Sequence, residues 1–456
     1  MSRVEKLLLS EQYVFEVNVQ YKSDIYAGEL VLTPDSIKLE IMGEDRNKDT
    51  SIMRDFWLLS DIEVLRAYNG NDSFLLYGVK PIRALSKTLN RVKGKGFFKI
   101  VLEIDYVIFS QSHLAGSQEF CSVSIYSSSI QNLIGRTSTQ KAILETKKHG
   151  AEFVILTEGA EFCYAYNYHR SYSPTKKLEE IRPLLFSQIH GGFIEQLSII
   201  NDFFILFSFL NGSELDVEEI VLCREGIYSS LNSSFYYPKN RFLKLEVKAQ
   251  ILYPWHANEG IGIESFGFNE SHLKKYFSLT AKEKSYFSKY LRYKRIGNIE
   301  ERFLGYFRVL ESCCREEGTY VDIEVLEIFI KKIASVIEDS FLSEKKKLTP
   351  LTQRLKGLNR QKYNTETCIR KLVLSIEEIT KIDWLYSKND IKSICDLRNN
   401  ITHANSYSLD EIEPMTNFIE SLLVFSLLKL LDVEAMERVK VLSRLDAFRG
   451  AIKYAS

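Results

Sequence analysis

Hydrophobic positions follow two different spacings along this chain. In the first half they alternate. Tyr13-Val-Phe-Glu-Val-Asn-Val19 and the stretch from Gly28 to Ile41 set apolar residues at every second position, the pattern of a strand with one buried face. Pro34-Asp35-Ser36 interrupts the second run and predicts a hairpin turn. Alternation continues through Phe97–Phe109, Cys121–Tyr126, Phe153–Leu156 and Phe162–Tyr168, rich in the aromatic and β-branched residues that pack on a pleated surface. Ile194–Leu210 differs. There Phe193, Leu197, Ile200, Phe204 and Phe207 recur at threes and fours, which predicts a buried helix. Strands are expected to resume around Ile220–Tyr228 and Leu243–Leu252. Residues 1–270 therefore read as a β-rich domain with a helical insertion.

From about residue 271 the spacing becomes helical. Thr280-Ala-Lys-Glu283 predicts a capping box. A helix over Ile299–Arg315 would bury Phe303, Phe307 and Leu310. Asp322 is expected to cap a helix running to about Lys346, with Leu326, Ile330, Ile333, Ile337 and Phe341 as its apolar stripe. Thr349-Pro350 reads as a cap with proline at the first helical position. Helices follow over Thr365–Ile379 and Asn389–Thr402. Ser408-Leu-Asp-Glu411 reads as a second capping box opening an apolar helix to about Leu431, and a last helix spans Glu434–Ile452. Residues 271–456 thus read as an all-α bundle, and the whole as a two-domain α+β chain.

Composition narrows the function. The chain has 456 residues, 45% hydrophobic and 26% charged, with 60 Lys+Arg against 60 Asp+Glu. No bulk positive field marks a nucleic-acid binder, so RNA would have to be met by a local patch. The basic runs Lys289–Arg295 and Lys345–Lys347 are the candidates, although solvated helix surface is the first reading of them and an RNA backbone contact the sharper one. Seven scattered cysteines without a CxxC pair fit reduced thiols. Cys313-Cys314 reads as helix packing. The Leu7–Leu9 run is too short for a signal peptide, and Phe203–Leu210 is far short of a membrane span. A cytoplasmic protein without a membrane partner is expected. Tyr164, Tyr166, Tyr168 and Tyr172 could stack on bases, or simply line one strand face. No phosphate-binding loop or dinucleotide fingerprint occurs, and six of the seven histidines have no ligand partner at helical spacing, so neither a cofactor nor a metal is expected.

The remaining histidine stands out. Cys395-Asp-Leu-Arg-Asn-Asn-Ile-Thr-His403 ends a predicted helix with Arg398 five positions before His403 and Asn399 directly after the arginine. A histidine that titrates near neutrality can act as general base or acid, and an arginine can hold a phosphate and stabilise its developing charge. Asn399 lies four residues before His403, where it could orient the imidazole on a shared helix face.

This segment resembles the Arg-x4-His signature of the HEPN superfamily. Glu301–Glu311 is similar to an early helix of the HEPN domain in ApeA-like anti-phage proteins. Ile25-Tyr-Ala-Gly-Glu-Leu30 with Ile37–Gly43 resembles the start of their N-terminal domain. The resemblance implies a metal-independent endoribonuclease with Arg398 and His403 catalytic and Asn399 supporting. It implies a homodimer through the helical domain, a role in abortive infection, a phage-derived trigger, and an N-terminal domain that senses or restrains. Among RNA substrates tRNA is the first to test. Silencing by adenylylation is not implied, because the tyrosine that such toxins carry two residues after the histidine is Asn405 here. A second reading makes the bundle a non-catalytic interaction or regulatory module, its N-terminal domain binding a ligand or partner.

Overall fold

A computed structural model describes residues 5–22, 24–45, 64–88, 96–114, 118–134, 142–143, 145–146, 150–157, 160–172, 177–191, 193–224, 231–239, 251–254, 267–316, 318–340, 345–359 and 363–453. The chain divides into two units, Met1–Phe277 and Ser278–Ser456.

The first unit is built on one antiparallel sheet. Its strands are β1 (Tyr13–Tyr21), β2 (Asp24–Leu32), β3 (Ile37–Asp45), β4 (Val64–Asn69), β5 (Asp72–Tyr77), β6 (Lys80–Thr88), β7 (Gly96–Ile104), β8 (Tyr106–Ser110), β9 (Phe120–Ser127), β10 (Gly150–Thr157), β11 (Ala160–Tyr172), β12 (Lys177–Gly191), β13 (Val217–Arg224) and β14 (Leu231–Tyr236). Their order is β10-β11-β12-β9-β13-β14-β8-β5-β4-β1-β2-β3-β7-β6. The alternation in β1 does what its spacing requires: Phe15, Val17 and Val19 are buried while Val14, Glu16 and Asn18 face out. The Pro34 turn forms as expected, with Leu32 opposite Ile37 and the Thr33 N–H donating to the Ser36 carbonyl at 2.9 Å. Both rim strands are irregular. The register of β6 slips between Pro81 and Arg83, and that of β10 between Ala151 and Phe153.

The expected run Phe97–Phe109 is two strands. It breaks at Asp105, whose N–H donates to the Tyr77 carbonyl at 3.0 Å and whose carboxylate accepts from Lys80 Nζ at 2.7 Å. Gly78 makes room for this with a φ of +66°; a Cβ there would lie 2.4 Å from the Asp105 carboxylate. β4, β5, β6, β12 and β14 were not expected, and most of Leu243–Leu252 and the end of Ile220–Tyr228 lie outside the described residues. Helix α1 (Ser128–Ile134) precedes α2 (Phe193–Asn211). α2 is the expected buried helix, but Phe203, Leu206, Phe207 and Leu210 form its buried side while Leu197 and Phe204 are only half-buried. Leu7 and Leu9 are fully buried, so the N-terminal leucine run is core. Helix α3 (Glu270–Ser278) brings His272 into a cluster with Phe268 and Tyr253, ring centroids 5.6 and 6.0 Å away.

The second unit is helical: α4 (Ala281–Lys294), α5 (Ile299–Cys314), α6 (Ile323–Ser340), α7 (Lys345–Asn359), α8 (Thr365–Thr380), α9 (Ile391–Thr402), α10 (Ile412–Leu430), α11 (Ala435–Leu442) and α12 (Asp446–Arg449). The Thr280–Glu283 capping box is present in both directions. α5 buries Phe303, Phe307 and Leu310, and Asp322 caps α6. Four expectations fail. α6 is described only to Ser340, and Lys345 and Lys346, expected at its end, open the next helix. Thr349 and Pro350 lie inside α7, because the helix already begins at Lys345. Ser408 caps nothing. α10 starts at Ile412 behind Glu411, which puts Pro414 in the first turn, where its missing N–H breaks no helical bond. The last helix is two short ones separated at Ser443–Leu445.

α10 is the centre of the bundle and packs against α4, α5, α11 and α12. Phe418, Leu422 and Leu428 on one stripe, and Leu423 and Leu427 on the other, are all fully buried within a single chain. A carboxylate is buried there too: Tyr290 Oη donates to Glu420 Oε1 at 2.9 Å, and burial beside that carboxylate pushes the Tyr290 hydroxyl well above its ordinary pKa.

Candidate active site

α9 carries the motif. Ile391, Ile394 and Leu397, at spacing three, are its buried face. Arg398 follows directly at the margin of that face, and its side chain keeps 35% of its exposure. Three groups surround the guanidinium. Its centre lies 5.8 Å from the Phe307 ring. Nη2 is 3.9 Å from Glu311 Oε2, and Nη1 donates to Asn399 Oδ1 at 3.0 Å. Thr365 Oγ1, at the start of α8, donates to the other Glu311 oxygen. The fixed carboxylate on α5 thus steers the guanidinium from a second helix. At 3.9 Å the pair is an electrostatic contact rather than a direct hydrogen bond, and half-exposure screens it. The cation therefore remains open to a competing anion.

His403 is the C-cap of α9. Its N–H donates to the Asn399 carbonyl at 2.9 Å. The chain then reverses through Ala404 at φ +54°, and the Asn405 N–H donates back to the Asn400 carbonyl at 2.9 Å. This is the Schellman-type closure that glycine usually serves. The imidazole is exposed, and no described residue hydrogen-bonds it. Asn399 Oδ1 accepts from Arg398, and among the described residues no hydrogen bond joins Asn399 to the His403 ring. The segment beyond the motif is tied down by Tyr407, whose hydroxyl donates to Glu300 on α5; that carboxylate raises the Tyr407 pKa.

Arg398 and His403 do not share a helix face. Five residues at helical pitch separate them by about 140° around the axis and roughly 7.5 Å along it. One motif therefore presents a cation and an imidazole in different directions. Nearby thiols are held protonated: burial pushes Cys395 up to about 11 and Cys314 up to about 12. This suits packing better than nucleophilic chemistry. Among the described residues, no three His, Cys, Asp or Glu side chains gather as a metal site, and no helix is long and apolar enough to cross a membrane.

Sequence reasoning missed Glu311, Thr365 and the second role of Phe307. Glu311 follows Phe307 by four residues, but nothing in that spacing marks a meeting with α8 or α9.

These helices define a class. The Apea-like HEPN family model matches residues 304–437, from the middle of α5 into α11, and the helical unit carries that domain. The matched span contains Phe307, Glu311, Thr365, Arg398, Asn399 and His403. No curated protein and no solved structure matches the chain.

Proposed function

We propose that this protein is a metal-independent endoribonuclease that acts as an abortive-infection effector against phage. The observation that carries the reading is the presence, inside the matched HEPN span, of a steered but unsaturated Arg398 and an exposed His403 imidazole on one helix end. In the reaction His403 takes the proton from a ribose 2′-hydroxyl, the oxygen attacks phosphorus, and Arg398 stabilises the charge on the phosphoryl oxygens. Protonation of the departing 5′-oxygen leaves a 2′,3′-cyclic phosphate and a 5′-hydroxyl.

The reaction asks for a base, an acid and a cation at one phosphate. A motif whose arginine and histidine diverge around the helix supplies them best in duplicate, so the active form is a two-fold homodimer with facing α9 helices. Phage infection provides the trigger, RNA such as tRNA is the substrate, and the β-rich unit senses or restrains.

The test is a digest of total RNA and purified tRNA with end-group analysis. Wild type should cut in excess EDTA, while Arg398→Ala and His403→Ala should each lose at least about a thousandfold, since both act on one phosphate. Unchanged cleavage by His403→Ala would remove the proposed site. A second reading, a helical module that docks a partner without chemistry, is favoured by the row Val325, Ile328 and Phe329 on α6, each more than half exposed. Charging that row with Phe329→Lys separates the two: it should spare cleavage under the first reading and abolish cellular function without cleavage under the second.

A further inference from the structure

A cleft of about 440 Å³ lies in the first unit, between the β4–β5 hairpin and the segment that follows β8. The strands set out its first wall. The register places Gln20 of β1 opposite Arg66 of β4, and Tyr68 of β4 opposite Ser73 of β5. Leu65 and Ala67 are buried on one side of β4, so Arg66 and Tyr68 share the other. A two-residue turn brings Asn71 to the rim. Its first central residue, Gly70, has a φ of +60°, and no such value occurs at Asn71, the pattern of a type II′ turn.

The opposite wall, residues 111–114, is fixed from behind. Arg224, only 8% exposed, donates from Nη1 to the His113 carbonyl at 2.8 Å and to Gln118 Oε1 at 3.2 Å, and from Nη2 to the Ser112 hydroxyl. The buried guanidinium thus ties that wall to β13 through one backbone carbonyl and two side chains.

The lining contains Arg66 and His113 and no aspartate or glutamate, in a chain whose charges balance overall. Among the described residues Arg66 has no ion-pair partner. The side chains of Gln20, Tyr68, Asn71 and His113 have no hydrogen-bond partner there either. An unpaired guanidinium in a carboxylate-free cleft selects an anion, and its fork suits a phosphate. Carboxamides present a donor beside an acceptor, which matches the edge of a heterocycle, and a tyrosine ring supplies a face for stacking. The volume lies in the usual range for small-ligand sites.

We infer that this cleft binds a nucleoside phosphate, with Arg66 on the phosphate and Tyr68, Gln20 and Asn71 on the base. The site belongs to the first unit and does not depend on the ribonuclease reading.

Calorimetric titration of the full chain with AMP, GMP, adenosine and inorganic phosphate tests it. At least one nucleotide should saturate a single site, at least tenfold tighter than adenosine or phosphate alone. Arg66→Gln should weaken it tenfold or more, and Tyr68→Leu, which leaves the cation in place, should weaken it as well. Because Arg398 is itself a phosphate-seeking group, the titration is repeated with Arg398→Ala, where affinity should be unchanged. Absence of saturable nucleotide binding at millimolar concentration would overturn the inference. So would equal binding of phosphate alone, or loss of binding in Arg398→Ala with retention in Arg66→Gln.

Discussion

The two units are held together in opposite ways. The sheet spreads its cohesion over many pairings between distant segments: β9 sits between β12 and β13, and β14 joins β8, more than a hundred residues earlier in the chain. The helical unit concentrates its cohesion in α10, which is buried on all sides against four neighbours. The difference locates where each can be damaged. A sheet loses one ladder at a time, whereas a bundle with a single axis has one element it cannot lose. It also locates where each can act: both candidate sites lie at margins, one at a hairpin tip and the other at a helix end.

The sharpest break of this comparison is at the axis. Leu423→Ala on α10 should destabilise the helical unit by about 3–4 kcal/mol, as cavity-forming substitutions in well-packed cores do. It should leave the melting of the β-rich unit in place. Two transitions in calorimetry, only one of them moved, is the expected result; an equal shift of both would show that the units melt as one. Next comes the steering carboxylate. Glu311→Gln keeps the shape and removes the charge, and should lower RNA cleavage about tenfold, roughly 1.4 kcal/mol, with the helical transition unmoved. A cleavage rate equal to wild type would show that Arg398 needs no steering.

Smaller effects sharpen the picture at the two margins. Gly70→Ala meets no atom within 4 Å, so its cost is purely that of the positive φ, about 1 kcal/mol, read in denaturant unfolding of the β-rich transition. Ala404→Gly runs the other way. Ala404 already occupies the left-handed region, so glycine should stabilise the helical transition by about 0.5 kcal/mol. A destabilisation would mean that the extra freedom of glycine in the unfolded chain outweighs the relief.

How much of this was legible in the sequence follows the same division. Helix α5 announces itself through Phe303, Phe307 and Leu310, and α4 through Thr280 and Glu283, because caps and stripes are local. The break at Asp105 was not legible, since it depends on a carbonyl at Tyr77 and on the space left by Gly78. β12 hid behind Pro183, which reads as a strand breaker. Arg398 and His403 were visible by spacing. Glu311 and Thr365 were not, because what makes them matter is the meeting of α5, α8 and α9, and no local pattern encodes that. The contact Asn399 makes was not legible either: spacing points it at the histidine four residues on, while its oxygen meets the adjacent guanidinium.

The irregular rims of the sheet have a consequence for how the protein exists at high concentration. A wide antiparallel sheet has two open borders, and straight borders with free N–H and C=O groups invite copies to zip together into filaments. Here a proline, Pro81, and the slip beside it interrupt β6, while a slip in β10 does the same at the far side. Each fault weakens one ladder slightly within the molecule and spoils the template it would offer to another. Polymerisation is discouraged by the same irregularities that make the outer strands look imperfect.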